Sequence, residues 1–574
     1  MEKNMNREQQ NRLQAENDNI SPWRAAWPFW CFLTFMVLSI LPVLVEILPQ
    51  RDVAFRYAPM AEAFRDGDFI YAFHPRTGFL HTFTSGIICY LFRCDGFLAC
   101  KISSLLFMGL GLFPLYAIMR RVYSRFMAEI CTFIFVLASQ LHRLSWSGLR
   151  DSHKTFLLLL AAYSLILIFQ EREKWSGYIW LGIAAGLGIV TRGDLVLIMT
   201  LLFFWGIVLE LKLKKFPWRS VLGSILALML ALPAIVLNWY LAGVAVPEIR
   251  FAWIFQKVMH RYPDITDSLP LIAVGLLAAF LAAWGIRVLI DAGFGKILCG
   301  ICAAGLLALL VRQFFNPEFY LEDPVLIYVA AIFKGFFPVL AVVCLIGIGF
   351  RLYRKQWTCE ESILATILFG HAVLVCSQII LNDCVLYVSI RYLLPAVPLE
   401  FGWSVIGILS VWELLTRPFR MKYPQWIRWI GCIAFILAVG GFLLDFYNPV
   451  IEDHFSGRER RLQAEAAKIA EVVKQDYRGP AEFRPAVNPG LYIPKLNPAI
   501  LFLSYQPNRK ATRPDYGRVI VVAYLVKGRV ADNLNEAHYV IDKYSPLNQL
   551  PPGLRLLGEA KLGKEKYRIW KKIK

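Results

Sequence analysis

The chain has 574 residues, 57% of them hydrophobic, with a mean hydropathy of +0.51. Such an excess excludes an ordinary soluble protein and reads as a polytopic membrane protein. A formal charge of +19 and a pI near 9.4 would suit nucleic acid, but Lys and Arg fall mostly in short loops between apolar runs, where they set membrane orientation, so no nucleic-acid partner is read.

Residues 1–21 are polar and of mixed charge, unlike a cleavable signal, and the apolar run 27–48 then acts as an uncleaved signal-anchor. Counting stretches of about twenty apolar residues gives about thirteen crossings. They fall near 27–48, 97–119, 126–141, 154–169, 178–190, 195–210, 220–241, 270–288, 297–312, 325–350, 361–381, 392–414 and 427–446. The segment 79–92 is apolar but short and carries His81, Thr82, Thr84 and Ser85, which reads as interfacial or re-entrant. With the N-terminus inside, the loops RRVYSR (120–125), EREK (171–174), KLKKFPWR (212–219), RLYRK (351–355) and RPFRMKYPQWIR (417–428) all face the cytoplasm, and they are dense in Lys and Arg. The opposite loops carry both signs.

From about residue 449 the composition changes. RERRLQAEAAKIAEVVKQDY (458–477) has Leu462, Ala466, Ile469 and Val473 near helical spacing, and GRVIVVAYLV (517–526) and HYVIDKY (538–544) read as strands. The expected fold is thus an all-α polytopic membrane protein with a small C-terminal extracytoplasmic α/β domain. Its divisions are a cytoplasmic tail (1–26), a transmembrane region (27–449) with an outer loop at 49–96, and the outer domain (450–574). The twelve Cys lie between Cys31 and Cys432, a spread that argues against a disulfide framework. Cys299 and Cys302 form a C-x-x-C inside an apolar run, which reads as small residues packing between helices.

The chemistry concentrates in the first outer loop. Residues 49–78 hold four Asp or Glu, four Arg and one His among several aromatics. Asp52 and Arg56 stand one helical turn apart, so a charge pair could keep the carboxylate ionised. An ionised carboxylate at the bilayer surface can take a proton from an acceptor hydroxyl or amine. The same pair would equally serve to fix a surface helix.

The stretch DVAFRYAPMAEAFRDGDF (52–69) resembles the first outer loop of the GT-C membrane glycosyltransferases, in the bacterial branch that includes protein mannosyltransferases and the aminoarabinose transferase of lipid A. That family shows D-E-x-R-Y-A, a helix ending in S-G-D-W, and a basic residue before P-P. Here Arg56, Tyr57 and Ala58 match R-Y-A, Asp66 to Phe69 match the helix end, and Arg76 takes the basic position before Thr77-Gly78. RRVYSRFMAEI (120–130), TRGDLVL (191–197) and RYLLPAVPL (391–399) are similar to three further family segments, in family order. The chain departs from the pattern in having a single acid, Asp52 followed by Val53, one residue farther from Tyr57.

The resemblance implies a GT-C-like catalytic domain and an inverting transfer from a polyprenyl-phosphate-linked sugar, at the outer leaflet, to a lipid, polysaccharide or protein acceptor. Asp52 is the candidate catalytic base. Candidates to bind substrate and phosphate are Arg56, Tyr57, His74, Arg76, Arg150, Arg192, Lys334 and Arg391, because a guanidinium fork binds phosphate bidentately. Arg150 and Lys154 have a plainer reading as side chains snorkelling from a helix end. Lys334, well inside its span, and Lys101 each need a partner or a cavity. The outer loop 244–269, rich in aromatics, suits an acceptor pocket, a lid or an interfacial belt. No metal-ligand cluster and no nucleotide-binding loop is visible, so the transfer is read as cofactor-free, with a divalent metal not favoured. The expected partners are the bilayer, the lipid-linked donor and the acceptor, and the expected location is a bacterial inner membrane. The competing readings are a transporter or flippase, and a non-catalytic subunit of a cell-envelope assembly system.

Overall fold

A computed structural model describes residues 26–45, 52–73, 78–171, 174–192, 195, 198–199, 202–203, 207, 218–242, 338–380, 390–416, 441, 458–477, 499–503, 522, 525–526, 529–530, 537–542, 553–562 and 565–573. The expected spans 270–288 and 297–312, the loop 244–269 and the residues His74, Arg76, Lys334, Cys299 and Cys302 lie outside these residues. So do most of the spans expected at 195–210 and 427–446 and the first half of that at 325–350.

The first helix, α1, runs Trp27–Val45. A π-helical turn, Val53–Tyr57, leads into α2, Ala58–Arg65, and the short α3, Phe69–Ala72. The segment read as interfacial forms α4, Phe79–Phe92. The expected crossing at 97–119 is nearly continuous from residue 96 to 122 but divides into α5, Gly96–Leu110, and α6, Leu112–Val122. Pro114 explains the joint, because it has no N–H to continue the ladder.

The single crossing expected at 126–141 is a bent pair, α7 (Arg125–Leu137) and α8 (Ser139–Trp146), with 56° between their axes. The bend frees the Val136 carbonyl, and the His142 ring takes it up, with Nε2 at 2.7 Å. Nδ1 lies 2.6 Å from the Ser39 hydroxyl on α1, so the ring ties the broken helix to its neighbour. In an apolar medium an unmet carbonyl costs several kcal/mol, which is why the break sits where a histidine can reach.

Helix α9, Asp151–Gln170, is buried on nearly every side and forms the central post. Its twenty residues rise about 30 Å, the thickness of a bilayer core. Around it pack α5, α6, α10 (Ser176–Ile189), α13 (Cys359–Ile380) and the 3-10 segment Leu394–Glu400, while α11 (Trp218–Ala242) packs on α10. Helices α12 (Pro338–Tyr353) and α14 (Phe401–Thr416) touch backbone to backbone. A Cβ at Gly347 would strike the Trp403 carbonyl, and one at Gly407 the Val343 carbonyl. Such close approach replaces the hydrophobic drive that lipid does not supply.

The two ends of the post differ in chemistry. At the end near Gln170, Arg121 pairs with Glu171 at 2.9 Å, Gln170 donates to Glu360 at 3.0 Å, and the buried Glu361 is clasped by Arg351 at 2.8 Å. This pole gathers the loops at 120–125 and 351–357 with Glu171 and Lys174. At the opposite end, near Asp151, the segment after α1, the start of α4, the end of α10 and the residues before α14 converge.

In the C-terminal part, α15 (Arg458–Asp476) packs on a five-stranded sheet. The strands are β1 (Ala499–Leu503), β2 (Arg529–Val530), β3 (Tyr539–Asp542), β4 (Leu554–Leu562) and β5 (Glu565–Lys572), in the order β2-β1-β3-β5-β4. β1 is parallel to β2 and β3, and β5 is antiparallel to β3 and β4. Alternation sends Tyr539, Ile541, Tyr567 and Ile569 onto Ala466, Ile469 and Val473 of the helix. The run 517–526 is not the expected strand where it is described: Val522 and Leu525 are helical, and the Val526 amide donates to the Val522 carbonyl at 3.0 Å. Spacing by four puts Val522 and Val526 on one helix face against the same core, so burial overrides the β-branched composition.

Candidate active site

Asp52 immediately precedes the π turn, whose defining bond runs from the Ala58 amide to the Val53 carbonyl. A five-residue turn brings residues five apart onto one side, so the extra residue between Asp52 and Tyr57 is absorbed by the wider coil. The partner of Asp52 is not Arg56, as spacing suggested, but Arg391, whose Nη2 donates to the carboxylate at 2.6 Å. Arg56 acts on Asp52 only through its charge. Burial pushes the Asp52 carboxyl up, yet the Arg391 guanidinium, by charge and hydrogen bond, with Arg56 and Arg150 behind it, holds it below the usual carboxylate range.

A second carboxylate stands beside the first. Asp151, the first residue of α9, is almost fully buried and forms an ion pair with Arg192. Arg192 is held in place by backbone. The Phe79 amide donates to the Val190 carbonyl at 2.7 Å, and Gly78, at φ +82, lies so close to the Thr191 carbonyl that no side chain would fit. Arg150 Nη1 lies 3.5 Å from that same Thr191 carbonyl. Tyr392 joins the two ion pairs: its ring lies 4.9 Å from the Arg391 guanidinium and 5.2 Å from that of Arg192, and its hydroxyl accepts from Arg391 at 3.0 Å.

Tyr57 completes the group. Burial pushes its phenol up, and the charges of Arg150, Asp52, Asp151 and Arg192 all act on it. The phenol therefore remains a neutral donor. Behind it lie His81, its ring 4.8 Å from that of Tyr57, and His153, 4.9 Å from His81. His153 Nε2 meets the Thr84 and Ser103 hydroxyls at 3.1 and 3.2 Å.

The structure thus brings together Asp52, Arg56, Tyr57, Arg150, Arg192 and Arg391. Arg150 and Lys154 are buried inside the protein, so neither snorkels to the surface. Lys101 finds its partner in the Val43 carbonyl at 3.0 Å and lies over the Phe97 ring, capping the end of α1. The sequence reading missed Asp151 and Tyr392. Both adjoin residues it had named, and an acid opening an apolar span beside an arginine was the available signal. Among the described residues no group of three or more His, Cys, Asp or Glu could hold a metal ion, and each of the two carboxylates is engaged by an arginine that a metal would have to displace.

Residues 74–239 match the family described as dolichyl-phosphate-mannose-protein mannosyltransferase. Over 96% of this chain and 98% of the other, the fold is similar to that of ArnT from Cupriavidus metallidurans bound to undecaprenyl phosphate, at a TM-score of 0.50 and 12% identity. The apo state of that protein gives a TM-score of 0.46 at 12% identity, covering 96% of this chain and 97% of the other. The oligosaccharyltransferase of Archaeoglobus fulgidus in its apo form gives 0.47 at 13% identity, covering 89% of this chain and 65% of the other. A search of curated protein sequences finds no match. The chain therefore has the fold of the GT-C membrane glycosyltransferases, as its motifs implied.

Proposed function

We propose that the chain is an inverting glycosyltransferase that moves a sugar from a polyprenyl-phosphate-linked donor to a lipid, polysaccharide or protein acceptor at the outer face of a membrane. The observation that carries this reading is the cluster at one pole of the bundle, where Asp52 and Asp151 are interleaved with Arg150, Arg192 and Arg391. The opposite pole holds described residues of three of the five basic loops, Arg121, Glu171 and Arg351 among them, and the positive-inside rule favours the cytoplasm for that pole. The similarity to a protein crystallised with undecaprenyl phosphate supports the donor class. A transporter would hold its charges near the middle of the membrane, whereas the described cluster lies at a helix-post end.

The chemistry follows from the geometry. An acceptor hydroxyl or amine attacks the anomeric carbon on the face opposite the phosphate. The carbon–oxygen bond breaks, and both its electrons leave with the phosphate. Asp52, ionised at neutral pH, accepts the acceptor's proton. Arg150, Arg192 and Arg391 take up the charge that grows on the phosphate, which is where such a site gains most. His74, Arg76 and Lys334 remain proposed phosphate ligands from their places in the sequence. Asp151 and Tyr392 position the arginines. Both carboxylates are already compensated by guanidinium groups, so we propose transfer without a metal ion.

The test is release of free polyprenyl phosphate from a panel of polyprenyl-phosphate sugars, comparing wild type with Asp52→Asn and supplying membrane lipids as acceptor. Turnover lost in the variant supports the reaction and the base. Absence of turnover with every donor, from folded wild-type protein, would refute the reaction. Turnover kept in the variant would remove Asp52 as base.

A further inference from the structure

Helix α4 ends in a left-handed residue, Arg93, at φ 48° and ψ 31°. In the C-cap turn that such a residue makes, the side chains that meet are those four positions before it and one position after it. Those positions are Cys89 and Cys94. The contact is formed: the Cys89 thiol donates to the Cys94 carbonyl at 3.0 Å. Cys89 is buried and Cys94 partly exposed. Arg65, at the end of α2, reaches over the pair, with Nη1 4.0 Å from Cys89 Sγ and 3.4 Å from the Cys94 carbonyl.

This turn belongs to the pole that holds Asp52, since the Gly96 amide just beyond it donates to Glu62 of α2 at 3.1 Å. On the reading that this pole is extracytoplasmic, both thiols face an oxidising compartment. We propose that Cys89 and Cys94 are a modification site, joined in a local disulfide that fastens the end of α4 beneath α2.

The exposed Cys94 is the entry point. Its thiolate attacks a disulfide of a thiol–disulfide exchange protein, forming a mixed disulfide and releasing one carrier thiol. The Cys89 thiolate then attacks the Cys94 sulfur, closing the bridge and releasing the second carrier thiol. Two protein thiols are oxidised and one carrier disulfide is reduced, with the two protons passing to the carrier. In the packed turn burial pushes both thiols up, Cys89 to about 12 and Cys94 with Asp95 adding to the effect, so closure belongs to folding, before the turn packs down. The scattered cysteines lacked a framework, but a helix end needs only two.

The proposal rests on the outer-face reading, and its test separates the two. Full-length protein in intact cells is blocked with N-ethylmaleimide under denaturing, non-reducing conditions, reduced, labelled with a heavier maleimide and mapped by mass spectrometry. In parallel, Phe69→Cys, at a residue 52% exposed on the same pole, is probed with a membrane-impermeant maleimide. We expect Cys89 and Cys94 to carry only the second label, and Cys94→Ser to return Cys89 to the first. Both cysteines taking the first label while Phe69→Cys reacts from outside would overturn the disulfide and leave the transfer reading standing. Both taking the first label with Phe69→Cys silent would overturn the disulfide together with the outer-face assignment.

Discussion

Arg391→Gln is the most informative single change at the site. The wild-type contact is a charge-assisted hydrogen bond of 2.6 Å between side chains each 26% exposed. A bond of that kind contributes about 1.5–3 kcal/mol, or roughly ten- to a hundredfold in an equilibrium or a rate. Removal does more than delete that energy. Burial pushes the Asp52 carboxyl up, and Arg391 is the chief reason it lies low. Without Arg391 the burial effect prevails and the carboxyl titrates at a higher pH. The sign is fixed. In wild type a depressed carboxylate contributes stability above the unfolded value, near 3.8, and loses it as pH falls through the lower folded value. The acid limb of kcat/KM should therefore lie below about pH 4 in wild type. In Arg391→Gln it should move upward, with kcat/KM at neutral pH roughly ten- to a hundredfold lower. The assay is polyprenyl phosphate release measured across pH for both proteins. An acid limb that stays in place, with activity merely scaled down, would refute Arg391 as the group that keeps Asp52 ionised. A double-mutant cycle with Asp52→Asn, read as stability against unfolding rather than as turnover, then isolates the pair.

Asp151→Asn should lower kcat about tenfold or more, because it frees Arg192 from its buried ion partner, and an unchanged rate would remove Asp151 from the site. Tyr392→Phe keeps the ring between the two guanidinium groups and should act mildly, whereas Tyr392→Ala should raise the donor KM several-fold; equal effects would show that the ring does not space the arginines. In the C-terminal sheet, Arg568→Met leaves Asp542 buried without its 2.7 Å partner, at a cost of about 3–5 kcal/mol. Limited proteolysis should then cut the C-terminal part first, and wild-type resistance would count against the pair as a structural element.

Much of the bundle is legible because bilayer thickness leaves little choice of helix length. The apolar run at 154–169 became Asp151–Gln170, and the interfacial segment at 79–92 became a helix of those bounds. Breaks were less legible. The bend at residue 138 depends on His142 reaching back to Val136 and across to Ser39, and neither contact follows from hydropathy. The partner of Asp52 was hidden for a similar reason. A window of one helical turn shows Arg56, whereas the hydrogen bond comes from Arg391, 339 residues away. Asp151 escaped because an acid at a helix start has a sufficient local reading as a favourable end charge. The strand expected at 517–526 failed where tertiary burial set the period at four rather than two.

The charge balance of the cluster bears on turnover. Among the described residues around Asp52, four guanidinium groups (Arg56, Arg150, Arg192, Arg391) face two carboxylates (Asp52, Asp151), an excess of +2 from 4 − 2. A donor phosphodiester carries one negative charge. The released monoester carries about 1.5 to 2 near neutral pH, its second ionisation lying near pH 6. On the proposed transfer, this described excess of +2, to which Arg76 and Lys334 would add, is better matched to the product than to the donor, which would favour charge development during transfer but slow release. Free polyprenyl phosphate should then inhibit competitively against donor, several-fold more strongly at pH 8 than at pH 5.5. Its methyl ester, fixed at one charge, should inhibit weakly and equally at both. Arg150→Gln should narrow the gap between the two inhibitors. Equal inhibition by monoester and methyl ester at pH 8 would show that the arginines do not read phosphate charge, and their role would contract to holding Asp52 and Asp151 in place.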